Sequence, residues 1–66
     1  MIRVLDPDVN ELELIVVMDY LQRRGTDHAS ILKGNDCVWV ASGSSNCPIN
    51  EYFIFRDGQL SHVEID

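Results

Sequence analysis

The sequence predicts one α+β domain over residues 1–66, in which one main helix packs on an antiparallel sheet of three or four strands. Three observations predict this class. They are a stretch over about 9–24 with capping residues at both ends, a β-branched and aromatic run over 37–42, and two apolar runs joined by Asp57-Gly58. With 66 residues, the chain is too short for a second domain.

The helix over about 9–24 is predicted mainly from its ends. Asp8 or Asn10 can cap the first turn, and Gly25 can close the last turn in a left-handed conformation. The helix dipole favours the charges found in the first and last turns, which are Glu11 and Glu13, then Arg23 and Arg24. The segment 12–17 is β-branched enough to form a strand, but the caps favour a helix.

The apolar side chains of this helix form two stripes when they are projected at about 100° per residue. They are Leu14, Val17, Met18 and Leu21 on one side, and Val9, Leu12, Val16 and Tyr20 on the other. A surface helix needs only one such stripe, so the second stripe predicts either that the helix is covered from both sides or that this segment is not a helix.

Residues 28–33 are compatible with either a short helix or a strand. Asp27 and Gly34 are suitable caps for a helix of barely two turns. Alternatively the segment is a strand, and Gly34-Asn35 is the turn of a hairpin into the run 37–42. The sequence leaves both alternatives open.

The segments 51–56 and 59–65 are predicted to form a hairpin across a type I′ turn at Asp57-Gly58. The expected facing pairs are Phe55 with Leu60 and Phe53 with His62. Residues 1–5 can add a fourth strand to the sheet.

The predicted sheet is apolar on both faces, and one helix covers only one face. Monomers rarely expose an apolar patch larger than roughly a few hundred Å². We therefore expect a protein-protein interaction module or regulator that self-associates or binds a larger target protein. Exposed aromatic residues are the usual anchors of an interface, so the expected partner-binding residues are Trp39, Tyr52, Phe53 and Phe55.

The chain carries 11 acidic and 5 basic side chains, for a formal net charge of −6. This charge opposes direct binding to nucleic acid or to an anionic membrane surface. An alternative function is an acidic inhibitor of phage or plasmid type, which imitates nucleic acid in the basic groove of a DNA- or RNA-binding protein. Its acidic surface would comprise Asp6, Asp8, Glu11, Glu13, Asp57, Glu64 and Asp66.

No catalytic motif is present in the sequence, so we expect neither enzyme activity nor a cofactor. A Cys₂His₂ zinc set is available by number, in His28, Cys37, Cys47 and His62. These residues lack a closely spaced cysteine pair, so no metal is expected. The sequence after Met1 becomes acidic at Asp6, where a secretory signal would carry its apolar region. No apolar run is long enough to cross a membrane. A cytoplasmic protein with free thiols is therefore expected.

The order of helix, turn, short helix and hairpin resembles that of winged-helix DNA-binding domains over most of the chain. The resemblance implies a wing at residues 43–50, but this segment carries no Lys or Arg to contact phosphate. A recognition helix of useful length is also missing. Such a scaffold would therefore serve protein contacts.

Overall fold

The computed structural model describes all 66 residues and contains one helix and five strands. The elements are β1 (Ile2–Val4), α1 (Glu11–Arg24), β2 (Ala29–Gly34), β3 (Cys37–Gly43), β4 (Pro48–Arg56) and β5 (Gln59–Ile65). All five strands form one sheet with the order β1-β2-β3-β4-β5. The predicted α+β class with one main helix is thus confirmed.

The sheet is mixed, and this corrects the prediction of an antiparallel sheet with three or four strands. β1 is parallel to β2, and the other neighbours are antiparallel. The physical reason is the connection between them. α1 carries the chain back along the sheet, so β2 begins at the same end as β1, as a parallel pair requires.

The helix begins at Glu11 because Asn10, rather than Asp8, is its N-cap. The Leu12 N–H donates to Asn10 Oδ1 at 2.8 Å, and the Asn10 N–H donates to Glu13 Oε1 at 3.3 Å. The Asn10 side chain also accepts from the Glu13 backbone N–H, and this bond and the one from Asn10 to Glu13 form a capping box. At the other end Gly25 has φ = 83°, which is the left-handed cap that the sequence predicts.

Residues 29–34 form the strand β2, so the helical alternative for 28–33 is wrong. The strand is paired on both sides, to β1 and to β3, and it buries Ala29 and Ile31 in alternation. A two-turn helix could form backbone hydrogen bonds with neither β1 nor β3. The turn lies at Asn35-Asp36, one residue later than expected, and Asp36 takes the positive φ of 60°. Without a second helix, the resemblance to a winged helix does not extend to the structure.

The core lies between α1 and one face of the sheet. Its buried members are Val17, Leu21, Ala29, Ile31, Val38, Val40 and Phe53. Of the second predicted stripe of the helix, Val9 and Tyr20 pack against this core, whereas Leu12 and Val16 are exposed. The expectation that the helix is covered from both sides is therefore wrong.

The β4–β5 hairpin has the predicted turn but a shifted register. Phe55 pairs with Leu60 as expected, whereas Phe53 pairs with Val63 instead of His62. Ser61 is the extra residue, because Ile54 pairs with His62 directly beyond it. Such a bulge reverses the facing of the residues that follow. It turns Val63 toward the helix and His62 away from it.

Candidate functional site

The face of the sheet that lies opposite α1 is apolar at its centre and is covered by no other part of the chain. Register and strand alternation place four large side chains on it, and we call these four the outer face: Leu32, Trp39, Tyr52 and Ile54. Leu32 pairs with Trp39, and Trp39 pairs with Tyr52, so three of them form one row across three strands. All four are half-buried by their neighbours within the sheet.

The two aromatic residues of the outer face are held in fixed positions. The rings of Trp39 and Tyr52 are stacked, with centroids 6.3 Å apart and planes 24° apart. Trp39 Nε1–H donates to Asn50 Oδ1 at 3.2 Å. A large side chain that is already ordered loses little conformational entropy when a partner covers it. The pair is thus suited to anchor an interface.

The four aromatic residues predicted as a partner-binding set do not share a face. Trp39 and Tyr52 lie on the outer face, whereas Phe53 and Phe55 lie on the helix side of the sheet. Phe53 is 0% exposed, and its ring meets that of Tyr20 edge-on at 5.0 Å. It cannot contact a partner in this fold, so its assignment to the binding face is corrected. Phe55 is partly buried and packs against the core.

Leu32 and Ile54 were not predicted as members of the outer face. A signal for both residues is present in the sequence. Ile54 is two residues from Tyr52 on the same strand, and side chains two apart share a face. Leu32 could be placed only after 29–34 was known to be a strand, because its partner Trp39 lies across the β2–β3 turn.

Polar residues border the outer face beside Trp39 and along β5. Asn50 lies beside Trp39, and Glu64 pairs with Tyr52 on the neighbouring strand. His62 Nε2 lies 3.3 Å from Glu64 Oε1, and His62 pairs with Ile54. An apolar centre with a polar rim is the usual anatomy of a protein-protein interface.

A partly buried ion pair joins the C-terminal end of α1 to β4 on the helix side of the sheet. Glu51 is 0% exposed, and its two carboxylate oxygens accept hydrogen bonds from Arg24 Nη1 and Nη2 at 2.5 and 2.7 Å. These bonds raise the pKa of the Arg24 guanidinium above its ordinary value. Arg24 also donates from Nε to Thr26 Oγ1 and lies 5.5 Å from the Tyr20 ring centroid. Nε, Nη1 and Nη2 of Arg24 each donate a hydrogen bond within the fold, so the pair orients α1.

The seven acidic residues proposed for nucleic-acid mimicry are divided between two ends of the sheet. Five lie where β1 and β4 end and α1 begins, namely Asp6, Asp8, Glu11, Glu13 and Asp57. Glu64 and Asp66 lie at the far end of β5. Two of the five carboxylates at the first end already interact with Lys33. Glu13 Oε1 is 3.1 Å from Lys33 Nζ, and Asp6 accepts a hydrogen bond from the Lys33 backbone N–H. Asp36, in the β2–β3 turn, lies at this end and was missed.

The four residues considered for zinc binding do not come together as a metal site. No group of three or more His, Cys, Asp or Glu side chains converges in the way a metal ion requires. Cys37 is buried and Cys47 is exposed, and both are free thiols. Burial raises the pKa of the Cys37 thiol, which disfavours the reactive thiolate. The structure also contains no helix with the length and apolarity that a membrane crossing needs.

The fold and the outer face together define a two-layer α+β protein whose helix covers one face of a five-stranded mixed sheet. Searches against protein-family models, curated proteins and solved structures find no match to this chain.

Proposed function

We propose that this chain is a non-catalytic protein-interaction module that binds a partner protein through its outer face, with Trp39 and Tyr52 as anchors. The observation that carries the proposal is the row of large side chains, from Leu32 through Trp39 to Tyr52, on the sheet face that the helix does not cover. Aromatic residues at the centre of a patch with a polar rim contribute most of the binding energy in typical interfaces.

The total surface of the protein supports this proposal. Its accessible surface is 4648 Å², whereas a folded monomer of this mass exposes about 4,250 Å². Only 9 of the 66 residues are buried. A small core of this kind gives a domain little stability of its own, and a partner that covers the outer face would add to it.

The test is photo-crosslinking from the outer face in living cells. A photoreactive phenylalanine analogue replaces Tyr52 in one variant and Gln22, which is exposed on the helix, in a matched control. The proposal predicts a defined protein adduct from position 52 that is absent from position 22 and is lost when Trp39→Ala is added. An equal adduct from both positions, or an adduct that persists with Trp39→Ala, would contradict it.

A second candidate function is the acidic inhibitor, and one observation favours it. Four exposed carboxylates without an ion-pair partner lie at one end of the sheet, and we call them the acidic end: Asp8, Glu11, Asp36 and Asp57. Here the partner would present a basic groove, and binding would depend on charge rather than on apolar contact.

Salt dependence separates the two candidate functions. Binding to the captured partner is measured at low and high salt for the wild type and for the double variant Asp36→Asn, Asp57→Asn. Binding through the outer face predicts little change in the dissociation constant in either comparison. Mimicry predicts steep weakening with salt and a smaller salt dependence in the double variant, because screening acts on exposed charges.

A further inference from the structure

The two edges of the sheet differ in how well they are protected against pairing with another chain. β1 is only three residues long, and Pro7 follows shortly after it. β5 is seven residues long and contains neither Lys nor Pro. Short length, Lys, Pro and β-bulges are among the means by which proteins block an edge strand. The bulge at Ser61 lies in the first half of β5, so residues 63–65 are the open edge of this sheet.

The backbone direction along β5 is set by its bonds to β4. The Asp66 N–H donates to the Asn50 carbonyl at 2.9 Å, and Glu51 pairs with Ile65. Since the direction of backbone groups alternates along a strand, Glu64 turns its groups toward β4, and Val63 and Ile65 turn theirs to the free edge. Two unpaired donors and two unpaired acceptors thus face outward beyond the bulge.

We propose that two copies of this chain pair through their β5 edges, antiparallel and about a two-fold axis at Val63. Outward groups must meet outward groups, so a two-fold axis can pass only through a residue position. With the axis at Val63, His62 of each copy lies opposite Glu64 of the other. This is a non-hydrogen-bonded pair, in which the side chains are closest.

Charge selects this register over its neighbours. An axis at Glu64 would place the two Glu64 carboxylates opposite each other, and an axis at Ile65 would place Glu64 opposite Asp66. An axis at His62 would place the two His62 rings opposite each other and Glu64 opposite Leu60. Like charges directly opposite each other destabilise a sheet, and opposite charges stabilise it. Only the axis at Val63 brings two His-Glu pairs together.

Exposed apolar surface next to β5 also supports pairing with a second copy of the chain. Ile65 is 71% exposed and lies on the helix side of the sheet. Tyr20 packs on Phe53 of β4. Val16 and Leu12 precede Tyr20 at intervals of four residues, so they lie on the same flank of α1. These two residues form an exposed apolar ridge that faces the β5 side. A two-fold axis perpendicular to the sheet places both helices on the same face of the joined sheet. Pairing therefore shelters Ile65 and part of the ridge from water. The self-association expected from the sequence is thus assigned to the β5 edge, while the outer face stays free for a different protein.

Sedimentation of charge variants tests the proposal on exposed residues whose replacement leaves the core intact. The wild type should sediment with twice the chain mass. His62→Glu should weaken the dimer about tenfold, because it places two carboxylates opposite each other. Glu64→Lys should also weaken the dimer, because it removes the carboxylate that faces His62 of the other copy. The double variant should restore the dimer, because a carboxylate at position 62 then lies opposite an ammonium group at position 64 of the other copy. A monomeric wild type, or a dimer that both single variants leave unchanged, would overturn the proposal.

Disulfide trapping tests the register in a Cys47→Ser background. Single cysteines replace Ser61, Val63 or Ile65, and only Val63→Cys should be linked by mild oxidation, because only residue 63 lies opposite its own copy. Linkage through Ser61→Cys or Ile65→Cys instead would overturn the register. Trp39→Ala should leave the dimer intact, since β4 separates Trp39 from the β5 edge. Failure of this proposal can therefore be distinguished from failure of the outer-face function.

Discussion

Glu51 is the one charged residue in the core, and its environment explains how an acidic strand residue is accommodated there. Both of its oxygens accept from Arg24, so no buried polar side-chain atom is left without a partner. Removing one member of a buried ion pair is expensive, because the other charge is left in a medium that solvates it poorly. Replacing both members with apolar residues is often neutral.

Thermal and denaturant unfolding of three variants can check this account. Arg24→Met should lower the free energy of unfolding by about 3 kcal/mol, and the double variant Arg24→Met, Glu51→Leu should recover most of the loss. Arg23→Met is the matched control. Arg23 is exposed and pairs with Asp19 on the surface at 2.9 Å, so its loss should change stability by less than about 0.5 kcal/mol. Equal losses for Arg23→Met and Arg24→Met would contradict the assignment.

The two cysteines should differ in reactivity. In the native protein, Cys47 should be alkylated rapidly, whereas Cys37 should react only as the protein unfolds, because burial both shields the thiol and raises its pKa. The raised pKa also makes the stability of the fold depend on pH. The free energy of unfolding that the neutral Cys37 thiol contributes is fully present below the ordinary thiol pKa. It is lost as pH rises through the raised value, because the thiol ionises at lower pH in the unfolded chain. Mass spectrometry after timed alkylation checks the order, and fast modification of both thiols would contradict it.

The turns and helix caps could be predicted from the sequence better than the strand registers could. The left-handed cap at Gly25 and the type I′ turn at Asp57-Gly58 are local devices, and the structure confirms both. The bulge at Ser61 was not predictable from the turn. It exists because the hairpin must bury Val63 against the helix, which is a requirement of the whole fold. In the same way β2 is a strand because it has a neighbour on each side.

Two glycines with positive φ should respond differently to substitution by alanine. Gly58 has φ = 77° and open space around it, so Gly58→Ala should cost only the strain of the left-handed backbone, about 1–2 kcal/mol. Gly43 has φ = 82°, and an added Cβ would lie 2.3 Å from the Cys47 carbonyl oxygen. Gly43→Ala should therefore cost at least about 1 kcal/mol more than Gly58→Ala. Equal melting temperatures of the two variants would contradict this reading of the β3–β4 connection.

The sequence indicates apolar residues on both faces of the sheet, and the structure places Trp39 and Tyr52 on the face that the helix does not cover. The sequence could not divide the aromatic residues between the two faces, because Tyr52 and Phe53 are neighbours on one strand, and both faces of that strand are apolar. Register with β3 and packing against α1 decide which face is which. The acidic residues were likewise predicted as one surface, but the chain connections divide them between two ends of the sheet.

The two faces predict opposite outcomes for two aromatic substitutions. Phe53→Ala should cost about 3–5 kcal/mol, which is comparable to the whole stability that a core of this size supplies, so the protein should be largely unfolded. Trp39→Ala should retain a cooperative unfolding transition while partner binding is lost, because Trp39 is a half-buried member of the outer face. Circular dichroism during heating checks both variants. A folded Phe53→Ala variant would contradict the assignment of Phe53 to the core.

The chain contains a single tryptophan, so the fluorescence of Trp39 reports on the outer face alone. The most direct test records its emission, and its quenching by acrylamide, while the partner captured at position 52 is added to saturation. Binding through the outer face predicts a shift of the emission to shorter wavelength and a loss of quenching, both saturating at the stoichiometry found by sedimentation. An emission spectrum and quenching that stay unchanged in the saturated complex would place the contact elsewhere and contradict the account.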